Sequence, residues 1–544
     1  MNRHLAEGAR PTIVVLLGAA VFVLLIACAN VANLLLVRAS LRERESAVRA
    51  ALGGSRGRLI CQTLAEALLL SGLGALLGTG LAWASLHGLI ALAPASLPRR
   101  DSIGIDPPTL AFAALAAFAA TILFGLPLAW QAARRDLMRT LRAARTGALA
   151  GAPKLRNAAL IAEVALAFVL LIWSGLLLRG FRALQRVDPG FDPHGLLTFQ
   201  LLGSRGGNQP QGRAAFMREI QNRLRAVLGV ESAGASNPLP LAGGVYATRW
   251  GKEQALADPS KYQGADFVAV LPDYFETMRT RLIAGRTFTR EDNAPERKVV
   301  IVDQLLAAKA FPHESAVGKR ILFLLSSVEP EPLEIIGVVA HQRLTSLSDL
   351  GREQIYTTDG YRGHGVVDHW TVRTVGDPTK YAAIVRREIG KLDSRVLVAE
   401  MQPMDALVNR STAAARFALV LMATFATVAA LMAAVGLYGV LSTFVRQRTA
   451  EIGVRMTLGA TPSSIFRMVA RHALCLSAAG LAGGFAASFA LTRWMGSLLF
   501  GVKPTDPVTL GLVTILFLAV IATASWAPAR RAAALDPAVA LREE

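Results

Sequence analysis

Seven apolar stretches punctuate the chain, at residues 13–37, 64–93, 110–130, 157–178, 417–440, 472–491 and 510–526. Each approaches or exceeds the ~20 apolar residues that a helix needs to cross a hydrocarbon core. The pattern predicts seven membrane-spanning helices. Between the fourth and fifth, roughly residues 179–409, the pattern changes to short alternating runs. Strands are predicted at 196–202, 230–235, 298–302, 333–340, 370–375 and 396–400, with helices at 214–227, 304–310 and 381–392. In the first of these helices Phe216, Ile220, Leu224 and Val227 form one stripe. The rhythm describes an α/β domain built from both ends of the segment, with a second subdomain inserted.

Composition supports the membrane reading: 53% of the 544 residues are hydrophobic and 18% charged, against about 25% charged in an ordinary soluble chain. The net charge of +19 is compatible with a nucleic-acid partner, but the cations cluster beside the spans, which excludes that class in favour of topology. Arg38, Arg42, Arg44, Arg49, Arg56 and Arg58 follow the first span. Arg134, Arg135, Arg139, Arg142, Arg145, Lys154 and Arg156 lie between the third and fourth. Arg446, Arg448, Arg455 and Arg467 follow the fifth, and Arg530, Arg531 and Arg542 the seventh. Cytoplasmic loops are enriched in Lys and Arg, so these regions share the cytoplasm and the inserted domain faces outward. Met1 then lies outside, which leads to the expectation of a further span encoded upstream.

The three cysteines, Cys28, Cys61 and Cys475, sit in or beside spans and make neither a disulfide framework nor a cysteine-rich metal site. His364, Asp368 and His369 are the densest set of metal-ligating types, in one short loop. No G-x-x-x-x-G-K-[ST] phosphate loop and no nucleophile elbow occur, so neither a catalytic, a cofactor-binding nor a metal residue is assigned.

The two groups of three spans repeat one another. Aligning Leu52 with Leu458 pairs Arg42 with Arg448, Glu45 with Glu451, Arg49 with Arg455, Gly53 with Gly459, Gly74 with Gly480 and Gly78 with Gly484. Further on, Asp106-Pro107 answers Asp506-Pro507. In both copies Glu precedes Arg by four residues, the favoured order on a helix face, and a Gly stands where a helix C-cap is expected. Ser55 or Thr461 suits the next helix start, with Pro462 in a first-turn position. This predicts a short cytoplasmic helix, a sharp break, then a helix entering the membrane. The bland alternative is a solvated connector. Gly74-x-x-x-Gly78 and Gly480-x-x-x-Gly484 predict close helix packing. Asn30 and Asn33 share a face of the first span, opposite numbers of Gly436 and Gly439, and suit tight helix contact. Glu163 is the one carboxylate well inside a span. It lies about 9 Å along the helix from Asn157, close enough to the cytoplasmic end that snorkelling or pairing with a neighbouring Arg is the expectation.

The runs LLIACANVANLLLVRAS and RESAVRAALGGSRGRL, with VGLYGVLSTFVRQRTAEIGVRMTLGA in the second copy, resemble the FtsX-like permease module of MacB-like ABC transporters. VVIVDQLLAAKAFP, VGKRI and EIIGVVAHQR are similar to the MacB-like extracytoplasmic core domain. The duplicated form resembles the acidobacterial duplicated orphan permeases, here without the first span and first outward domain of repeat one. The resemblance implies a multi-span α-helical membrane protein with an inserted α/β extracytoplasmic domain and duplicated FtsX-like three-helix modules. Its parts are expected at 1–150 (first module), 151–181 (fourth span), 182–410 (core domain) and 411–544 (second module). It implies a permease subunit of the bacterial inner membrane, without a cofactor or catalysis of its own. Such a subunit passes motion from a separate ABC ATPase to the outward domain, with the bilayer and a dimer mate or second permease as further partners. The ATPase-coupling residues would be Glu45, Arg49, Leu52 and Gly53, and Glu451, Arg455, Leu458 and Gly459. The rival readings are a mechanotransmitter regulating a cell-envelope enzyme and a membrane-anchored extracytoplasmic enzyme.

Overall fold

The computed structural model describes residues 2–41, 56–92, 104–115, 118–119, 122, 152–203, 209–325, 329–495, 500–503 and 505–534. They form two compact units: residues 1–183 with 414–544, and residues 184–413.

The first unit is helical. Its labelled helices are α1 (Asn2–Leu41), α2 (Arg56–Leu92) and α3 (Ala152–Leu184). Five further helices follow α3 in the chain within the inserted unit. After them come α9 (Ala413–Gln447), α10 (Thr449–Thr457), α11 (Pro462–Met495) and α12 (Pro507–Ala533). Among the described residues five segments are long and apolar enough to span a membrane: Thr12–Asn33, Arg156–Leu184, Ala413–Gln447, Pro462–Leu491 and Pro507–Ala533. The second expected span falls in α2, where the described apolar stretch is Ser71–Leu86. The third lies mostly outside the described residues.

The repeat is visible in where helices stop and start. α1 ends at Leu41 and α2 begins at Arg56, the aligned counterparts of Gln447 and Pro462, where α9 ends and α11 begins. Asp106 accepts the Thr109 N–H at 3.0 Å, and Asp506 accepts the Thr509 N–H at 2.8 Å. Both copies therefore start their last helix with the same Asp cap before a first-turn Pro.

The centre of this unit is α3: 61% of its span is buried, against 22–33% for the other four. Phe168, Ile172 and Leu176 are fully enclosed, meeting Met422, Leu437, Val469 and Phe517 from α9, α11 and α12 in one core. Phe168 packs edge-on to Phe485, ring centroids 4.9 Å apart. Lipid tails are as apolar as leucine, so close packing and interhelical hydrogen bonds hold such a bundle. Gly480 and Gly484 supply close packing. A Cβ on Gly480 would stand 2.5 Å from Val164 Cγ1, and one on Gly484 would stand 2.9 Å from the Ala165 carbonyl. The counterparts differ: among the described residues nothing lies within 4 Å of a Cβ built on Gly74 or Gly78. In the first copy leucines 73, 76 and 77 of the same helix stand exposed.

The second unit is one eleven-stranded sheet with two differently built halves. The open half runs β11 (Leu397–Pro403), β1 (Leu196–Leu202), β10 (His369–Thr374), β2 (Val230–Asn237), all antiparallel. It uses the first and last strands of the insert, so the domain is built from both ends. Two helices, α4 (Pro210–Arg225) and α7 (Ala382–Gly390), send Met217, Ile220, Leu224, Val385 and Ile389 into the core around Phe199 and Trp370. Those two rings stack 5° from parallel. The buried stripe of α4 is Met217, Ile220, Gln221 and Leu224, rotated from the predicted one. Gln221 reverses the polarity rule because its Nε2 donates to the carbonyls of Ala233 and Pro272, each at 2.9 Å; a satisfied amide is tolerated in a core.

The other half closes on itself. β4 (Gln263–Val270), β3 (Tyr246–Gly251), β7 (Arg320–Leu324), β8 (Glu331–Val339), β6 (Val299–Asp303) and β9 (Gln354–Thr358) pair in that order, and β9 pairs in parallel with β4. Closure removes the free edges of those strands. β5 (Leu282–Gly285) pairs with β8. Three short helices, α5 (Tyr274–Met278), α6 (Gln304–Ala310) and α8 (Met404–Ser411), complete the unit.

Candidate functional site

The described copy of the repeated motif is a nine-residue helix, α10, set between two long helices. Arg448 leaves helical geometry at φ −114°, ψ 15°, ending α9 and starting α10. One face of α10 is anchored: Ile452 is fully buried and shares a core with Val445 and Ile465. The Arg455 guanidinium donates to Glu451 at 2.6 Å, and its other terminal nitrogen reaches the Met468 sulfur at 3.1 Å. The i,i+4 pair thus also ties α10 to α11.

The end of α10 is a Schellman motif. Ala460 N–H donates to the Arg455 carbonyl at 2.9 Å and Gly459 N–H to the Met456 carbonyl at 3.1 Å. That arrangement needs a left-handed residue, and Gly459 has φ +93°. Thr461 then accepts at its carbonyl from the Ser464 N–H, 2.9 Å, with Pro462 opening α11. Ser464 Oγ donates to the same carbonyl at 2.7 Å. The chain turns sharply with its backbone groups satisfied, so α10 is held at a fixed attitude to the helix that follows.

The outer face carries apolar side chains. Leu458 is 82% exposed at the tip and Val454 is half exposed. This end also holds Arg446, Arg448, Arg455 and Arg467. Among the expected coupling residues, Glu451, Arg455, Leu458 and Gly459 are thus gathered on one short element. Glu45, Arg49, Leu52 and Gly53 lie outside the described residues. Sequence reasoning did not single out the inward anchors Ile452 and Met468; the i,i+7 spacing of the apolar pair Val445 and Ile452 was the available signal.

A second polar feature lies inside the bundle. Glu163 on α3, 1% exposed, accepts a hydrogen bond from Asn30 Nδ2 of α1, and the same amide donates to the Met432 carbonyl of α9 at 3.0 Å. The expectation that Glu163 snorkels or meets an Arg is therefore replaced: a neutral amide from another span satisfies it. Gly436 leaves the room, since a Cβ there would lie 2.5 Å from Glu163 Oε2 and 2.8 Å from Asn30 Oδ1.

In the inserted unit the ionisable clusters serve the fold. Asp303 caps α6 through the Leu306 N–H at 2.9 Å and holds His341 Nδ1 at 2.6 Å. Asp359 accepts the N–H groups of Gly365, Val366 and Val367. Asp368 is bonded to Gln200 Nε2 at 3.0 Å and to His369 Nδ1 at 2.8 Å. No group of three His, Cys, Asp or Glu among the described residues is placed to hold a metal ion.

Comparison with known proteins gives two families. Residues 17–137 and 423–537 both match the FtsX-like permease C-terminal family, and residues 184–402 match the MacB-like periplasmic core domain. The macrolide export ATP-binding/permease protein MacB of Chromobacterium violaceum is 28% identical over 337 residues, 58% of this chain and 50% of that protein. The pyoverdine export ATP-binding/permease protein PvdT of Pseudomonas syringae pv. syringae is 26% identical over 317 residues, 56% of this chain and 46% of that protein. The chain spans about half the length of the curated relatives it matches. Among solved structures, the periplasmic region of MacB from Actinobacillus actinomycetemcomitans is 16% identical, aligning 41% of this chain with 95% of that one at a TM-score of 0.28.

Proposed function

The chain is a membrane protein of the MacB-like permease family, its two FtsX-like segments framing a MacB-like periplasmic core domain, and from that premise we propose that it is a permease subunit through which a separate ABC ATPase moves the core domain. The observation that carries this reading is the exposure of Leu458 on a helix whose other face is locked into the bundle. A motor outside the membrane needs a rigid lever at its surface. α10 has the required features: a satisfied C-cap, a buried anchor at Ile452 and an apolar tip. Glu451, Arg455, Leu458 and Gly459 form the docking element in this reading, with Glu45, Arg49, Leu52 and Gly53 as its first copy. The working parts are residues 1–150, 151–181, 182–410 and 411–544.

In this reading α10 lies in the cytoplasm and the core domain on the far side of the bacterial inner membrane, an orientation that the positive-inside pattern supports. The chain contributes no catalysis and no cofactor in this reading; a dimer mate or second permease completes the assembly. The named relatives join ATP-binding and permease functions in one protein, which supports an ATPase as the partner. The test is co-purification of the full chain with its cognate ATPase, using Leu458→Asp and Gly459→Val. Both variants are expected to insert and elute normally in detergent while losing the ATPase. Full ATPase binding and full coupled activity in both would reduce α10 to a solvated connector.

A further inference from the structure

Arg156 opens the fourth span and is 6% exposed, yet its Nε finds no hydrogen-bond partner. No described carboxylate forms an ion pair with it. Guanidinium stays charged at every accessible pH, and a buried charge without a counter-charge is strongly destabilising. Candidate partners are already engaged. Glu163, seven residues along the same helix and so about 10 Å away, is bonded to Asn30. Glu451 is paired with Arg455 at 2.6 Å and lies 3.7 Å from Arg448.

Two more nitrogen groups converge on the same region. His472 of α11 stacks on Phe444 of α9, centroids 4.2 Å apart and 13° from parallel. The Arg448 guanidinium covers the Phe444 ring at 4.7 Å. Glu163 of α3 lies against Gly436 of α9, and Arg156 and Phe444 stand seven and eight residues from that contact toward the same end, about 10 and 12 Å along their helices. A shared aromatic platform therefore carries a His and an Arg, with the buried Arg156 at a similar depth on the neighbouring helix.

We propose that Arg156, His472 and Arg448 bind the phosphate of an anionic phospholipid headgroup from the cytoplasmic leaflet. Arg156 and Arg448 lie at the helix ends that the Arg-rich loops assign to the cytoplasm, where lipid phosphates sit, and His472 stands about one helical turn deeper, on Phe444. Basic pockets between membrane helices on that side are suited to such headgroups. The Oδ1 of Asn157, next to Arg156 in the chain, is also buried without a partner. A headgroup that carries a hydroxyl beside its phosphate offers that acceptor a donor. This site does not depend on the ATPase reading.

The experiment uses the full chain, delipidated in a neutral maltoside detergent. It is titrated with dioleoylphosphatidylglycerol, dioleoylphosphatidylcholine or sodium phosphate while thermal unfolding is followed. Phosphatidylglycerol is expected to raise the unfolding temperature saturably, and phosphatidylcholine at the same mole fraction to leave it unchanged. Losing one charge-assisted hydrogen bond corresponds to about a tenfold weaker apparent affinity, expected for Arg156→Gln, with Arg156→Lys in between. Arg156→Gln removes an unpaired charge and is expected to fold; His472→Gln is the second variant, and size exclusion checks both. A folded Arg156→Gln and His472→Gln that respond to phosphatidylglycerol as the wild type does overturn the proposal. A response to sodium phosphate equal to that for the lipid, and lost in Arg156→Gln, overturns the lipid source while sustaining the phosphate site.

Discussion

Asn30 and Glu163 join two membrane helices by a hydrogen bond from the amide Nδ2 to the carboxyl group, with Gly436 of a third helix packed against both. Under the internal alignment, Asn30 and Gly436 are equivalent positions of the two copies. The repeat therefore meets itself at this carboxyl group, where one copy supplies a donor and the other supplies space.

Asn30→Ala is expected to lower detergent stability by about 1–3 kcal/mol, because it leaves Glu163 without its donor in an apolar interior. Glu163→Gln keeps shape and hydrogen-bonding capacity and is expected to cost less. Thermal unfolding of both, beside Gly436→Val, checks this. A Gly436→Val protein as stable as the wild type contradicts the contact.

Packing asymmetry between the copies gives a second test. Gly480→Leu and Gly484→Leu force side chains into Val164, Ala165 and Phe168 and are expected to cost about 1–3 kcal/mol or more. Gly74→Leu and Gly78→Leu meet open space and are expected to change stability little. Equal losses in all four would mean that the first copy packs as the second does.

Acid sensitivity of the core domain follows from Asp292. Burial would raise its carboxyl, but Arg286, bidentate at 2.5 and 3.1 Å, and the Thr289 N–H at 2.8 Å outweigh that and hold it below the usual range. A folded value below the unfolded ~3.9 contributes stability that is fully present above that value and lost as pH falls through the folded one. Asp192 is likewise held low: burial opposes it, but the His194 N–H with Arg373 and Arg279 prevails. Unfolding temperature is expected to fall steeply below about pH 4. Asp292→Asn should be about 2 kcal/mol less stable at pH 7 and show a shallower acid slope. Identical slopes for the two proteins would refute the assignment.

Topology can be read with two exposed leucines, Leu228 of the core domain at 96% and Leu458 of α10 at 82%. In a background with Cys28, Cys61 and Cys475 replaced, Leu228→Cys is expected to react with a membrane-impermeant thiol reagent in intact spheroplasts. Leu458→Cys is expected to react after lysis alone. The reverse pattern would invert the proposed orientation.

Much of this was legible in the chain because it depends on local pattern. Apolar length makes spans, alternation makes strands such as Leu196–Leu202, and an Asp-Pro pair before a Thr starts a helix at both Asp106 and Asp506. The matched charges of Glu451 and Arg455 likewise announced a helix that ends at a glycine. Tertiary structure decided the partners. Rise per residue gave the depth of Glu163 but not which span faces it, so Asn30 rather than an Arg could be found only in three dimensions. The same limit applies to Gly74 and Gly480: the spacing is identical, but which helix lies against it is a tertiary matter, as Val164 against Gly480 shows. Ile452 and the closure of β9 on β4 belong here too, because burial and strand partnership join residues far apart in sequence, and no local period encodes which ones meet.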